Sequence, residues 1–436
     1  MTARKRFWVF LVGALLLVNL GVGLRVYSLE AEENGEREAF EKTRVLMRVL
    51  QLIHKDYVDE EKVDFSKLIY GALKGMVASL DPFSGFMTPE EYGDMLENTE
   101  GQFGGLGIIV TVRDDVLTVI APIADTPGAR AGLLAGDQIV IINGESTQKM
   151  KLSDTVKLLK GEPGTTVTIS VYRPSTGETM EKTIERALIP VVNVKDTHLL
   201  EDKVGYVRLV QFNDPTVERL EKALDELLEQ GAEALVLDLR NNPGGLLDSA
   251  VGVCSLFLPK ESLVVLTQGR QESQTREFRS NRKPKFLDKP VAVLVNRGSA
   301  SAAEIVAGCL QDWGRAVLVG EQTFGKGSVQ NVIELPDGSA LRLTTSMYYT
   351  PSKRVIHEHG IAPDIEVVLT DDEVRGVLEA QQRAAAEPDQ GPFRDRQLQR
   401  ALDTLRSYDV YRHAQEKRFK ALRSTEGAVE KKDGDK

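Results

Sequence analysis

Residues 296–305 read N-R-G-S-A-S-A-A-E-I, and residues 313–330 read W-G-R-A-V-L-V-G-E-Q-T-F-G-K-G-S-V-Q. Ahead of the first motif, the apolar run Val291–Val295 has the length and composition of a buried strand. Gly298 permits a sharp turn and the small residues from Ala300 to Leu310 suit a helix, so Ser299 and Ser301 stand where a strand gives way to a helix. A serine there lies beside backbone N–H groups that can face an oxyanion. Ala316–Gly320 reads as a second strand leading into a glycine-rich turn. Beyond it, period-two alternation puts Lys326, Ser328 and Gln330 on one face, where a lysine base and an amide to orient it can work together.

Upstream, Ala234–Leu239 reads as another buried strand, running into D-L-R-N-N-P-G-G at residues 238–245 and then the helical stretch Leu246–Phe257. Glycines at such a turn let the backbone approach a ligand without a Cβ, and an N–H at the helix start can point at a developing negative charge. Alone, this reads first as a sharp strand-to-helix turn with no catalytic part; the serine motif makes it an oxyanion candidate.

These motifs, in this order and with the lysine 25 residues after Ser301, resemble the carboxyl-terminal processing (tail-specific) proteases, a Ser/Lys peptidase family, from about residue 40 to 405. The resemblance implies an α+β multidomain fold: a crotonase/Clp-like α/β protease core with an inserted PDZ domain and helical segments at both ends. It selects Ser301 as nucleophile, Lys326 as base and Gln330 as its orienting residue. It favours the N–H groups of Gly245 and Ala302 as the oxyanion hole, with Gly244 the alternative to Gly245. Ser299 then reads as the N-cap of the following helix. No cofactor is implied.

Three rival chemistries bear on the same residues. G-E-Q-T-F-G-K-G at 320–327 nearly spells a phosphate-binding P-loop, but the residue after the lysine is Gly327 where magnesium needs Ser or Thr. A Ser-His-Asp triad would use His357 or His359, which lie in a polar turn leading to Gly360. Lysine titrates near ~10.4 in water and must be desolvated to act as a base near neutrality. Phe324, Gly325, Gly327 and Val329 surround Lys326 in sequence, with no acid nearer than Glu321, which suits an uncharged base. A crotonase-like acyl transferase shares the backbone oxyanion hole, but nothing here reads as a nucleotide-carrier site. The non-enzymatic alternative is a membrane-anchored PDZ scaffold with an inactive core.

Gly101 to Leu188 has a different texture, with short alternating segments and frequent turns. Gly104, Gly105, Leu106 and Gly107, followed by Ile108, resemble the carboxylate-binding loop of a PDZ domain, and A-G-L-L-A-G-D-Q-I-V-I-I-N-G at 131–144 strengthens that likeness. A glycine-rich loop can aim N–H groups at a peptide's terminal carboxylate while the next strand accepts the peptide as an added strand. On this reading Leu106 and Ile108 line the peptide pocket.

The 436 residues, 42% apolar and 28% charged, suffice for two or three folded domains. A net charge of −10 argues against nucleic acid as a partner. Cys254 and Cys309, both in apolar helical contexts, read as core thiols, and no ligand set for a metal is present. Arg4, Lys5 and Arg6 precede the uncharged run Phe7–Leu24, the pattern of a secretory signal or an N-terminal membrane anchor; with no A-x-A-like cleavage site after it the uncleaved anchor is favoured, which would place the rest outside the cytoplasm, anchored in an inner membrane and facing the periplasm or extracytoplasmic side. The expected organisation is an anchor at 1–30, a helical region at 31–100, a PDZ domain at 101–188, the protease core at 189–370, a helical region at 371–412 and a charged, disordered tail at 413–436. Expected partners are proteins with free C-terminal tails, the membrane, a second copy of the chain in a dimer, and an adaptor protein.

Overall fold

A computed structural model of the chain describes residue 37 and residues 40–408 apart from 114, 124 and 384–394. The expected anchor at 1–30 and the expected tail at 413–436 lie outside the described residues. Among the described residues no helix is long and apolar enough to cross a membrane.

The chain divides between Thr88 and Pro89 into two units. The first holds α1 (40–56), α2 (Phe65–Ala78) and β1 (Gly85–Met87). Asp64 caps α2 by accepting from the Lys67 N–H at 2.8 Å. Asp81 forms a turn, accepting from the N–H groups of Phe83 and Ser84 at 2.7 and 2.8 Å.

The second unit begins with α3 (Pro89–Glu100) and β2 (Gln102–Gly105). A β-rich module follows: β3 (Ile108–Arg113), β4 (Val116–Pro122), α4 (Pro127–Arg130), β5 (Gln138–Ile142), β6 (Glu145–Ser146), α5 (Leu152–Leu159), β7 (Thr166–Arg173) and β8 (Glu178–Glu185). Its antiparallel sheet runs β3-β4-β5-β7-β8, with β6 beside β5, over a core that includes Leu117, Ile139 and Ile169. β9 (Ala187–Pro190) returns to pair with β2.

The remaining elements are β10 (Val194–Leu199), β11 (Val204–Leu209), α6 (Thr216–Glu229), β12 (Ala234–Asp238), α7 (Leu247–Ser255), β13 (Leu263–Gly269), β14 (Arg276–Arg279), β15 (Val291–Val295), α8 (Ala302–Asp312), β16 (Val317–Gly320), β17 (Ser328–Glu334), β18 (Ala340–Tyr349), β19 (Ile365–Glu366), α9 (Asp371–Arg383) and α10 (396–408). Six strands form one sheet in the order β10-β11-β12-β15-β16-β19, parallel except for β10 at its edge. Every residue of β12 and β15 is buried, as expected of parallel strands covered on both faces. Alternation splits them: Leu235, Leu237, Val293 and Val295 meet α6, α7 and α8, while Ala234, Val236, Ala292 and Leu294 meet Ala401 and Leu405 of α10. A second, antiparallel sheet pairs β17 with β18, β18 with β13 and β13 with β14. The carboxyl ends of β12, β15 and β16 thus present three adjacent turns, the usual ligand-binding edge of such a sheet.

Candidate active site

The turn after β15 carries both serines, and their positions differ from the sequence expectation. Ser301, not Ser299, stands at the N-cap of α8. Ser299 is fully buried: its Oγ donates to the Leu239 carbonyl at 2.7 Å and accepts from the Asn296 N–H at 3.0 Å. It ties the turn to the end of β12, so its hydroxyl is committed sideways. Ser301 holds φ 54° and ψ −114°, a left-handed conformation that costs a non-glycine residue roughly 1–3 kcal/mol and persists only when its surroundings enforce it.

Glu304 does the enforcing. It is fully buried, and its Oε2 accepts from the backbone N–H groups of Ser301 and Lys326, each at 2.8 Å. Oε1 accepts from Thr323 Oγ1 at 2.6 Å and from the Gly325 N–H at 2.7 Å. Burial pushes its pKa up, against these bonds, which favour the anion. The four donors on its two oxygens are an arrangement that suits the carboxylate anion.

The turn after β12 packs directly on Ser301. Gly244, at φ 95°, leaves no room for a side chain: a Cβ there would lie 2.8 Å from Ser301 Cβ and 2.9 Å from the Ala302 nitrogen. At Gly245, φ 143°, a Cβ would strike the Phe212 carbonyl oxygen at 1.8 Å. The Gly244 N–H donates to Asn242 Oδ1 at 2.9 Å, whereas those of Gly245 and Ala302 have no acceptor among the described residues. Reciprocal amide bonds between Asn241 and Asn296, all at 2.9 Å, and Ala300 N–H to the Asn242 carbonyl at 2.9 Å, join this turn to the serine turn.

Lys326 leaves the glycine-rich turn after β16 and is about half-buried. Burial lowers its pKa, the nearby Arg342 guanidinium lowers it further, and Glu304 partly opposes both. β17 starts only at Ser328 and its register shifts between Val329 and Gln330, so the simple alternation from Lys326 to Gln330 is broken. Gln330 Nε2 donates to Ser328 Oγ at 2.8 Å and Thr344 Oγ1 at 3.3 Å.

Ser301, Lys326, Gln330, Gly244 and Gly245 all line one cleft of ≈ 840 Å³, with Val217, Leu246, Phe278, Val329 and Tyr348 as apolar walls. His357 and His359 do not line it; both sit in the turn preceding Gly360, as expected. Cys254 and Cys309 are buried thiols. Among the described residues no cluster of His, Cys, Asp or Glu could hold a metal ion.

The Gly104–Ile108 stretch lies apart from this cleft. Gly104 and Gly105 end β2, Gly107 takes φ 68°, and Ile108 opens β3. The N–H groups of Leu106 and Gly107 have no acceptor among the described residues. Leu106, expected to line a peptide pocket, is packed in the module's core, and Ile108 is partly buried against it.

Sequence reasoning missed Glu304, although S-A-A-E from Ser301 has the spacing of a capping box. It also missed the buried pair of Asp238 and Arg240, 2.7 Å apart at the start of the turn that carries Gly244 and Gly245.

The model of peptidase family S41 matches residues 203–367, that of the PDZ domain residues 118–173, and that of the activating protease CtpB N-terminal domain residues 22–91. A carboxy-terminal-processing protease of Bartonella bacilliformis is 38% identical over 412 residues, 89% of this chain and 94% of its own. A carboxyl-terminal-processing protease of Synechocystis sp. is 37% identical over 386 residues, 84% of this chain and 88% of its own. The solved photosystem II D1 C-terminal processing protease is 30% identical, with a TM-score of 0.44, over 74% of this chain and 92% of that one. With relatives matched over nearly their whole length, the chain belongs to the carboxy-terminal processing proteases, peptidases of family S41, and carries their PDZ domain.

Proposed function

We propose that the chain is a Ser/Lys endopeptidase that reads the C-terminal tail of a protein substrate through its PDZ domain and cleaves near that end. The observation that carries this reading is the Glu304 carboxylate, which holds the backbones of Ser301 and Lys326 to one oxygen at the wall of a cleft. Ser301 Oγ attacks the peptide carbonyl carbon while neutral Lys326 Nζ takes its proton. The resulting oxyanion is held by the N–H groups of Gly245 and Ala302; the bond from the Gly244 N–H to Asn242 Oδ1 supports Gly245 over Gly244 as the first donor. The C–N bond breaks as Lys326 returns the proton to the leaving amine. Water, deprotonated by Lys326, then cleaves the acyl ester and restores Ser301. Gln330 lines the same cleft, and with its Nε2 given to Ser328 Oγ and Thr344 Oγ1 it is the amide oxygen that would orient the base.

The apolar cleft walls suit an unfolded protein segment, and the unoccupied N–H groups of Leu106 and Gly107 suit a terminal carboxylate. The basic-then-apolar pattern at residues 4–24 supports an anchored, extracytoplasmic enzyme. A dimer and an adaptor protein belong to the same proposal, as do the domain limits given above. Cleavage of an unfolded test protein by the purified chain, set against Ser301→Ala, tests the chemistry. Envelope proteins shortened at the C-terminus in wild-type cells but not in a Ser301→Ala strain identify the substrates; identical termini in both strains remove the tail-processing reading.

A further inference from the structure

Arg240 opens the turn that carries Gly244 and Gly245, and its guanidinium is almost wholly buried. Nη2 and Nε bind the Asp238 carboxylate at 2.7–3.1 Å, and Asp238 Oδ2 also accepts from Tyr206 Oη at 2.7 Å. The other partners come from the start of α10. Asp395 Oδ2 lies 2.8 Å from Nη2, and Gln397 Oε1 accepts from Nη1 at 3.1 Å across 157 residues of chain. Asp395 Oδ1 meanwhile accepts from the N–H groups of Gln397 and Leu398 at 3.0 and 3.1 Å, and Gln397 Nε2 donates to the Val367 carbonyl at 2.8 Å. The first turn of α10 is therefore fixed at once to Arg240 and to the segment beyond β19.

Docking of α10 does not require this contact. Leu398, Ala401, Leu402 and Leu405 already bury an apolar stripe on the sheet. A buried ion pair adds little net stability over apolar residues of the same volume, since desolvation offsets much of its attraction, which leaves the arrangement it imposes as its main consequence in this proposal. What it specifies here is the turn beyond Arg240. Asn242 Nδ2 donates to the Leu209 carbonyl at 2.7 Å, its Oδ1 accepts from Gly244, and its carbonyl accepts from Ala300 at 2.9 Å. A guanidinium gripped by Asp238 alone can tilt about that pair; gripped from the α10 side as well, it cannot.

We infer that Asp395 and Gln397 are positioning residues of the active site, acting through Arg240 to hold the 241–245 turn, and with it the Gly245 N–H, against Ser301. This rests on the proposed role of Gly245. It makes α10 part of the catalytic core rather than a peripheral extension, although it lies beyond the residues 203–367 that the peptidase family model matches.

The test uses the full-length chain with fluorescein-labelled β-casein, measuring kcat, KM and the melting temperature. Asp395→Asn is expected to lower the melting temperature, because a buried ion pair loses a partner, and in the folded enzyme, assayed well below that temperature, to lower kcat ten- to a hundredfold, the scale of a small misplacement of catalytic groups, with KM close to wild type. Asp403→Asn, at an exposed position of the same helix, is expected to leave kcat unchanged. A folded Asp395→Asn variant with wild-type kcat overturns the inference, and so does a rise in KM alone, which would report substrate binding rather than turn geometry. Should Asp395→Asn not fold, Gln397→Met, which removes only the amide contacts, is read in its place with the same two outcomes. If the wild-type chain shows no Ser301-dependent cleavage, the proposed chemistry fails, and this inference with it.

Discussion

Ser301 and Lys326 hang from a single oxygen: Glu304 Oε2 accepts both backbone N–H groups at 2.8 Å. The proposed nucleophile and base sit on different turns, and this shared acceptor fixes their separation without occupying either side chain. It also compensates the left-handed backbone of Ser301, which no regular ladder would support.

Glu304→Gln replaces one acceptor oxygen with a donor that must face N–H groups already pointing at it. Leaving buried donors unsatisfied costs about 1–3 kcal/mol. We expect a lowered melting temperature together with a loss of cleavage of ~10²-fold, since both turns shift. A folded Glu304→Gln enzyme with wild-type kcat would show that the carboxylate is only a helix cap.

For Lys326 the sign of the pH dependence follows from its depressed pKa. The neutral amine is the base, so activity should rise with pH through a midpoint below the ordinary lysine value of ~10.4. Stability runs the same way. Between the folded pKa and ~10.4 the unfolded chain binds more protons at this position, so stability grows as pH rises and is lost as pH falls through the folded value. Lys326→Met escapes that penalty: it should be inactive yet melt no lower than wild type at neutral pH, with any advantage shrinking toward pH ~10. His357→Ala and His359→Ala should retain activity. A rate loss of ~10³-fold in a folded histidine variant would restore the histidine base.

Ser299 and Ser301 should separate cleanly in kinetics and stability. Ser301→Ala removes cleavage. Ser299→Ala removes the bond to the Leu239 carbonyl and leaves the Asn296 N–H without its hydroxyl acceptor, a cost of about 1–3 kcal/mol, while chemistry in the surviving folded fraction continues. An inactive but fully stable Ser299→Ala enzyme beside an active Ser301→Ala enzyme would reverse the assignment.

Much of this site could be read from local sequence because its signals are local. Val291–Val295 and residues 234–237 are continuous apolar runs, which is what parallel strands buried on both faces require. The turns that follow them advertise themselves by glycine and small residues. What stayed hidden depends on which strands become neighbours. Whether Ser299 caps a helix or reaches Leu239 is decided by β12 lying beside β15. The shift between Val329 and Gln330 comes from the pairing of β17 with β18, so alternation counted from Lys326 fails. The Arg240 contact with Gln397 spans 157 residues and leaves no periodic trace.

The PDZ loop gives the last test, and its geometry selects the variant. A Cβ at Gly107 would lie 2.3 Å from Thr126 Cβ, displacing a side chain whose hydroxyl bonds to the Gly107 and Ile123 carbonyls. A Cβ at Gly104 would meet the Gly161 carbonyl oxygen at 2.0 Å. Substitution at either position damages the module itself and says nothing about recognition. Gly105 lacks a positive φ, and its Cβ would meet the Phe103 ring at 3.3 Å, a contact the ring can relax, one residue ahead of the free N–H of Leu106. We therefore expect Gly105→Val to keep the module folded while crowding the approach of a peptide end. The unmutated enzyme should cut a substrate with a free apolar C-terminus faster than the same substrate amidated, because amidation removes the charge those N–H groups are proposed to bind. Gly105→Val should cut both forms at the slower, amide-like rate. Equal rates for acid and amide in the unmutated enzyme, across several tails, would mean that the PDZ domain does not read the terminus and that selection lies in the cleft between Val217 and Tyr348.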